Sequence, residues 1–251
     1  MSPSPRRPRT FPELLASRLQ DDPGQPLVTA YDDSTGERTE LSVTTYANWV
    51  SKTANLFTDE LGLDAGDTVL IDLPSHWLVP VFLGAAWSSA LVVTTDRSIP
   101  HDVVVCGPDT VDQHGDADIV IACALLPFAV RSPEPWPAGV LDYGVLWPGQ
   151  SDVFAPLDPP TPDTPAWRGT DELQTQAELL EAAAVAVYAE GVRLLTDVHP
   201  ASEHGVPAFL GPLLSDGSLV LLREPLENTW PARQEDERAT AVVRAGQSPS
   251  E

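Results

Sequence analysis

The sequence predicts an α/β fold, a layered α/β/α arrangement in which a mixed, mostly parallel sheet is flanked by helices. Residues 68–73 form an apolar strand-like run, residues 77–89 an apolar helix and residues 90–94 a second strand. This β-α-β order favours parallel pairing, because parallel strands need a crossover connection. Apolar residues at helical spacing over 44–61 predict a further helix, and the β-branched run 118–126 predicts a further strand.

The N-terminal part predicts a helix followed by a hairpin. Apolar side chains between residues 11 and 19 recur on one helical face, and Pro23 and Gly24 end this helix. Two strand-like runs follow at 26–31 and 37–43, joined by a polar, glycine-containing connection of hairpin length. We therefore expect a β-hairpin before the β-α-β unit.

The second half of the chain predicts two helices and a last strand. Residues 171–195 are rich in Leu, Ala and Val, begin with acidic residues and follow Thr170, which can cap a helix. They predict a long helix, unbroken or interrupted near Gly191. Residues 206–214 predict an apolar helix, and residues 218–222 a final buried strand.

The predicted domain organisation is one domain between two tails. We expect residues 1–10 to be a disordered tail and residues 11–223 to be a single α/β domain. Within it, residues 127–165 are rich in Pro, Asp, Gly and Trp, a composition that favours irregular backbone. Residues 224–251 are charged, and we expect them to fray.

The charge balance constrains the partners. The formal net charge is −23, from 37 acidic and 14 basic residues, and Lys52 is the only lysine. Such a field repels nucleic acid and anionic membranes, so neither is an expected partner. The acidity otherwise indicates solubility.

Location and thiol chemistry follow from the apolar pattern. Residues 1–10 are not followed by a continuous apolar region, so they do not form a signal peptide, and no stretch of about 18 apolar residues predicts a membrane span. We expect a cytoplasmic protein. Cys106 and Cys123 form no C-x-x-C pair, which predicts reduced core thiols rather than a metal or redox site.

Several short phrases, in a fixed order along the chain, carry a further signal. They are Thr45-Tyr46-Ala47, Ala54-Asn55-Leu56, the run 61–69 (LGLDAGDTV), Leu73-Pro74-Ser75, the run 82–87 (FLGAAW) and the run 204–221 that begins His204-Gly205. In this order they resemble the N-terminal part of the adenylate-forming, or AMP-binding, superfamily of acyl-CoA synthetases, adenylation domains and luciferases. The resemblance implies the α/β fold of that part and spans most of residues 11–223. It implies a truncated chain, in which the ribose-binding region and the C-terminal domain with the catalytic lysine have no counterpart.

The resemblance also locates a phosphate-binding loop, and here the sequence departs from the superfamily. The superfamily carries a Ser/Thr/Gly-rich loop ending in Pro-Lys-Gly, whereas the resemblance implies a remnant of only Arg168, Gly169 and Thr170. A phosphate cradle needs several free backbone N–H groups, helped by a lysine and hydroxyls. ATP or AMP is therefore a doubtful cofactor. Arg168 either pairs with a phosphate or is a solvated surface residue.

The resemblance places His204 and Gly205 beside the acyl substrate. Capping of the next helix by His204 is the competing interpretation. The spacing of His199 and His204 does not fit a zinc helix motif, so no metal site is expected. No G-x-S-x-G elbow is present, and we predict no catalytic residue.

The aromatic residues Trp136, Trp147, Phe154 and Trp167 leave two interpretations open. They anchor the irregular segment to the body, or they line an exposed groove for a partner.

Two functional hypotheses follow. The first is a degenerate, pseudoenzyme-like protein that binds an unknown protein partner or a small acyl or nucleotide ligand. The alternative is an ATP-dependent acyl-adenylating ligase with a reduced site, or one completed by a second subunit.

Overall fold

The computed structural model describes residues 7–246, and the strands of this part form two sheets. In pairing order, the smaller sheet contains β12 (Ala241–Val243), β10 (Arg193–Thr196), β11 (Ser218–Arg223), β1 (Pro26–Asp32) and β2 (Glu37–Ser42). The larger sheet contains β7 (Leu141–Asp142), β6 (Val120–Ala122), β5 (Val103–Cys106), β3 (Thr68–Asp72), β4 (Val92–Thr94), β8 (Pro165–Arg168) and β9 (Leu173–Thr175).

Both sheets are mostly parallel, which confirms the predicted fold class. The antiparallel pairs are the predicted hairpin β1–β2 and the hairpin β8–β9. The predicted β-α-β unit is present as β3, α3 (Leu78–Ser88) and β4, and β3 pairs with β4 in parallel. The predicted flanking helix is α2 (Val43–Asn55), which a turn of π-helix extends to Glu60.

A layer of helices lies between the two sheets. It contains α1 (Phe11–Asp21), α2, α3, α5 (Gln176–Ala183) and α6 (Gly205–Leu214). Helices α2 and α6 contact β1 and β11 of the smaller sheet, whereas α3 and α5 contact strands of the larger one. Aromatic side chains fill the centre of this layer: the rings of Phe11 and Trp87 are 5.5 Å apart and those of Tyr46 and Phe209 are 6.3 Å apart.

The long helix predicted over 171–195 is wrong. Residues 173–175 instead form β9, which pairs with β8, and the helix α5 covers only Gln176–Ala183. Its N-cap is Thr175, whose side chain and that of Glu178 form a reciprocal capping box. The chain then turns at Gly191, where φ is +69°, and enters β10. Helix-favouring composition is overridden here by strand pairing on both sides of a short helix.

The fraying expected from residue 224 onward is also wrong for the residues that the structure describes. A helix, α7 (Trp230–Asp236), is followed by β12, which pairs in parallel with β10. The Trp230 side chain is buried against the outer face of the smaller sheet. The expected N-terminal tail is covered only from residue 7, because residues 1–6 lie outside the described part of the chain.

The Pro-rich segment 127–165 is largely irregular but is tied to the body. Its one α-helix within the described residues, α4 (Tyr143–Leu146), is a single turn. The Tyr143 hydroxyl lies 2.7 Å from that of Thr53 on α2, and the Asn55 amide donates to the carbonyls of Ser151 and Val153, both at 3.0 Å. Helix α2 therefore holds this segment in place.

The four aromatic residues singled out in the sequence pack against the body. Trp167 is buried in β8, whereas Trp136, Trp147 and Phe154 are half-buried. The Trp147 indole donates to the Ala129 carbonyl at 2.9 Å, and its ring lies 4.1 Å from that of Trp49. These contacts support the anchoring interpretation over an exposed aromatic groove.

Candidate functional site

The carboxyl ends of β3 in the larger sheet and β10 in the smaller sheet lie at the same end of the fold, and we call the region between them the crevice. In open α/β sheets, ligands bind outside these ends. The loop after β10 crosses to the end of β3, where the His199 Nε2 lies 2.9 Å from the Leu73 carbonyl oxygen. The loop after β3 carries His76, which faces the inner side of the smaller sheet beside Arg223. We take this crevice as the candidate site.

The turn between β8 and β9 is where the resemblance puts the phosphate loop. Strand β8 ends at Arg168 and β9 begins at Leu173, so the turn has only four residues, 169–172. The Gly169 N–H donates to the Glu172 carbonyl at 2.9 Å and closes the turn. Arg168, Gly169 and Thr170 are therefore neighbours on a tight hairpin, not parts of an extended loop.

The Thr170 hydroxyl already has a hydrogen-bond partner within the protein. It donates to Asp96 Oδ2 at 2.9 Å, and Asp96 also accepts from the Ser98 hydroxyl at 2.6 Å and the Ser98 N–H at 2.8 Å. The hydrogen bonds from Ser98, followed by that from Thr170, hold the pKa of the Asp96 carboxyl below its usual value. Asp96 is therefore a stable anion in contact with the turn.

The remaining charges at the turn are mostly negative. Asp171 and Glu172 are exposed on the turn itself. Arg168 is also exposed, and between residues 7 and 246 no hydrogen bond or ion pair to its guanidinium is found. The turn and its contacts thus combine one free cation with three carboxylates, those of Asp96, Asp171 and Glu172.

His204 and Gly205 lie at the start of α6 on the other side of the crevice. The His204 side chain is exposed and makes no capping hydrogen bond, so it does not cap the helix. Ser202 takes that role, because its hydroxyl accepts from the Gly205 N–H at 2.9 Å. Gly205 is required for packing: a Cβ at this position would lie 1.7 Å from the His199 carbonyl oxygen.

Sequence reasoning missed the part that His199 plays in joining the sheets. Its Nδ1 accepts from the Ala201 N–H at 3.2 Å, which leaves the proton on Nε2 to donate to Leu73. Burial lowers the pKa of His199, with the backbone hydrogen bonds opposing that effect, so the ring is neutral at pH 7. No local sequence pattern indicates a contact to a residue 126 positions away.

His76 lies in a small polar cavity at the same end of the fold. Burial and the nearby positive charge of Arg223 lower the pKa of His76 to about 3, although Asp32 acts in the opposite direction. Arg223 pairs with Asp32 at 3.2 Å. The free space among these groups is about 10 Å³, the scale of one water molecule. His76 therefore stays neutral at ordinary pH.

Cys106 and Cys123 are free and buried, which confirms the expectation of core thiols. Burial raises the pKa of Cys106 to about 12, so this thiol is a poor nucleophile. Among residues 7–246, no group of three or more His, Cys, Asp or Glu side chains is placed to hold a metal ion. In the same residues, no helix is long and apolar enough to cross a membrane.

The chain is similar in sequence to a known protein and similar in fold to several solved structures. No established family profile matches it. A TIGR03089 family protein of Mycobacterium tuberculosis is 33% identical over 240 residues, which cover 92% of this chain and 96% of that protein. The sequence likeness thus extends over nearly the whole of both chains.

The similar solved structures are longer proteins at much lower identity. A Brucella canis acyl-CoA synthetase superposes with a TM-score of 0.75 at 16% identity, covering 97% of this chain and 48% of that one. Acetoacetyl-CoA synthetase from Streptomyces lividans gives 0.75 at 19% identity, covering 94% and 42%. The N-terminal domain of FACL13 from Mycobacterium tuberculosis gives 0.71 at 12% identity, covering 93% and 62%.

These likenesses show the fold. The chain spans about half the length of the two synthetases, and its architecture is that of the N-terminal part of acyl-CoA synthetases and related adenylate-forming enzymes. The fold implied by the short phrases is therefore confirmed. Because one fold hosts many functions, the activity must be argued from the site.

Proposed function

The chain belongs to the TIGR03089 family, and we propose that it is a non-catalytic relative of adenylate-forming enzymes that binds a small acyl or nucleotide ligand or a partner protein. In this proposal the crevice at the carboxyl ends of the sheets does not activate an acid with ATP. The observation that carries the proposal is the four-residue turn 169–172 at the expected position of the phosphate loop.

The hydrogen-bond donors of the turn support the proposal. A phosphate group is held by several backbone N–H groups that point outward together, helped by hydroxyls and a lysine. Here the Gly169 N–H is bonded to Glu172 and the Thr170 hydroxyl to Asp96. The turn contains no lysine. An incoming phosphate would have to replace two internal hydrogen bonds before it gained any of its own.

The electrostatics of the turn act in the same direction. Asp96, Asp171 and Glu172 each repel an anion, whereas Arg168 is the one cation among the residues 168–172 that attracts it. Because the whole chain carries a formal charge of −23, the long-range field also opposes the approach of ATP. A ligand of this crevice therefore has to gain its affinity from contacts other than those between a triphosphate and this turn.

Calorimetric titration tests the proposal. Purified protein is titrated with Mg-ATP and with a non-hydrolysable acyl-adenylate mimic, and the exchange of labelled pyrophosphate into ATP is measured alongside. We expect no saturable heat with millimolar Mg-ATP and exchange at background level. Saturable heat with the mimic but not with Mg-ATP would show that the protein binds an acyl-adenylate-type ligand and does not bind the triphosphate.

A matched pair of variants makes the titration specific. Arg168→Ala removes the free cation of the turn. Arg131→Ala removes another exposed arginine, which lies beside β7 at the opposite edge of the larger sheet. Saturable Mg-ATP binding that is lost in Arg168→Ala and retained in Arg131→Ala would contradict the proposal.

That contrary result would favour the alternative function, an adenylating ligase with a reduced site or one completed by a second subunit. The observation in its favour is that the Arg168 guanidinium is exposed and makes no ion pair within residues 7–246. A free arginine can bind a phosphate in bidentate fashion. Pyrophosphate exchange that appears only after a second protein is added would establish this alternative.

A further inference from the structure

An apolar cleft of about 550 Å³ lies between two helices of the central layer and the irregular segment that crosses them. We call residues 154–160 the strap. Helices α1 and α2 form the floor, and the strap forms one wall. The apolar lining includes Leu15, Ala16, Leu19, Ala47, Val50 and Phe154. Its volume is typical of sites for small molecules, which range from about 300 to 1,000 Å³.

The strap is fixed at its two ends and free between them. Before it, the Asn55 amide donates to the Val153 carbonyl at 3.0 Å; after it, the Ala177 N–H of α5 donates to the Pro162 carbonyl at 3.0 Å. Residues 154–160 make no hydrogen bond to the described part of the chain. The Leu157 side chain is 99% exposed. The strap therefore rests on apolar contacts alone and can shift to admit a ligand without breaking a hydrogen bond.

The cleft is separate from the crevice of the proposed function. Helix α3 begins just after the carboxyl end of β3 and ends at Ser88, which lines the cleft. A helix of 11 residues spans about 16 Å, so Ser88 lies toward the amino ends of the strands. Binding in the cleft and binding in the crevice can thus be measured independently.

Charge selects the class of ligand. Within residues 7–246, Glu13 is the only charged residue that lines the cleft, and the strap carries one further charge, Asp158. Among these lining residues, an anionic head would meet the Glu13 carboxylate and no cation. Apolar walls with a few hydroxyls in the lining, such as those of Ser51 and Ser88, fit an alkyl chain with a head that carries no negative charge.

We propose that this cleft binds the alkyl chain of a neutral or cationic amphiphile, with the strap closing over it. Neither the crevice nor the turn 169–172 takes part in this binding. A failure to bind in the cleft would therefore leave the proposed function of the crevice untouched, and the reverse also holds.

Titration with three molecules of equal chain length tests both the cleft and its charge selection. Decylamine and decanoate are added below their critical micelle concentrations and decanol below its solubility limit, and binding is followed by calorimetry. We expect saturable binding of decylamine and decanol and several-fold weaker binding of decanoate. Adding salt should narrow the difference between decylamine and decanoate, because salt screens the surface carboxylates. Equal or tighter binding of decanoate, or no saturable binding of decanol, would overturn the proposal.

Replacing either of two alanines by tryptophan locates the binding. Ala16 and Ala182 are both exposed helical residues, on α1 and α5, and only Ala16 lines the cleft. Ala16→Trp fills the cleft and should weaken decanol binding at least tenfold, whereas Ala182→Trp should leave it unchanged. Leu19→Asp, which adds a carboxylate to the same lining, should weaken decanol binding and leave the decanoate affinity lower still. Unchanged decanol affinity in both cleft variants would contradict the assigned position.

Discussion

At the scale of single residues, Gly205 shows that a position beside the crevice can be fixed by packing. The resemblance assigned it to substrate binding together with His204. In the structure the His199 carbonyl and the Ser202 hydroxyl occupy the space around it, at 1.7 Å and 2.8 Å from where a Cβ would lie. Backbone atoms cannot move aside as a flexible side chain can, so any larger residue must displace the loop that reaches β3.

This packing gives a prediction for Gly205→Ala. We expect the variant to lose about 3 kcal/mol of unfolding free energy, the upper part of the range for overpacking. Gly149→Ala is the matched control, because nothing lies within 4 Å of a Cβ at that position. It should change stability by less than about 0.5 kcal/mol. Urea unfolding of both variants measures the difference. Equal stabilities would show that the loop 199–202 moves to accommodate the methyl group without a cost in free energy.

The residues of the turn were partly predictable from sequence. The order of the short phrases located Arg168, Gly169 and Thr170 just before a predicted helix, whereas the structure has them on the hairpin between β8 and β9, with α5 beginning only at Gln176. No local sequence pattern indicates that Thr170 bonds Asp96, because the two residues are 74 positions apart. Side-chain partners across such distances depend on the folded sheet, and periodicity reports only local geometry.

At the scale of elements, α7 docks on the smaller sheet through a charged residue. Glu237, at the end of α7, accepts from Arg38 at 2.9 Å and also from the Tyr31 hydroxyl and Arg193. Arg233 of the same helix lies over the Tyr31 ring at 3.9 Å. Glu237 is nearly buried, so its charge depends on these partners.

Replacing this carboxylate tests how α7 is held. Glu237→Gln keeps the shape but removes the charge that two arginines share, and we expect a loss of about 1–3 kcal/mol of unfolding free energy. Glu235→Gln, an exposed position on the same helix, should have little effect. Thermal unfolding of both variants provides the measurement. Equal midpoints would mean that apolar contacts of Trp230 alone hold the helix.

The same interaction has a pH dependence whose sign is fixed. Burial alone would raise the pKa of Glu237, but hydrogen bonds from Arg38, Tyr31 and Arg193 outweigh it and lower the pKa from 4.5 to about 2. The contribution to stability is therefore complete above pH 4.5 and is lost as the pH falls toward 2. The stability difference between wild type and Glu237→Gln should shrink over that range, and a constant difference would contradict the assignment.

The elements show which sequence signals were sufficient. The helix α2, the strands around α3 and the first hairpin follow from apolar periodicity and turn residues, and all are present. The long helix over 171–195 was wrong because its Leu, Ala and Glu content hides β9 and β10, whose strand conformation comes from their neighbours in the sheets. The ordered α7 was missed because its partners Arg38 and Arg193 are distant in sequence.

At the scale of the whole molecule, two mostly parallel sheets share one helical layer, and their carboxyl ends are tied together by His199. The fold thus presents a crevice in the usual position for an α/β protein. What distinguishes this chain is the turn at its edge, where a four-residue hairpin with three nearby carboxylates stands at the expected position of a phosphate loop. The overall fold is shared with adenylate-forming enzymes, whereas the turn at the site argues against phosphate binding.

The most direct test of this account is the phosphorus NMR spectrum of millimolar Mg-ATP in the presence of the protein. A bound triphosphate would broaden or shift the β- and γ-phosphate signals, because these groups are the ones that a phosphate loop contacts. We expect signals identical to those of free Mg-ATP, for wild type and for Arg168→Ala alike. Broadening by the wild type that Arg168→Ala abolishes would contradict the central claim that this turn does not bind phosphate.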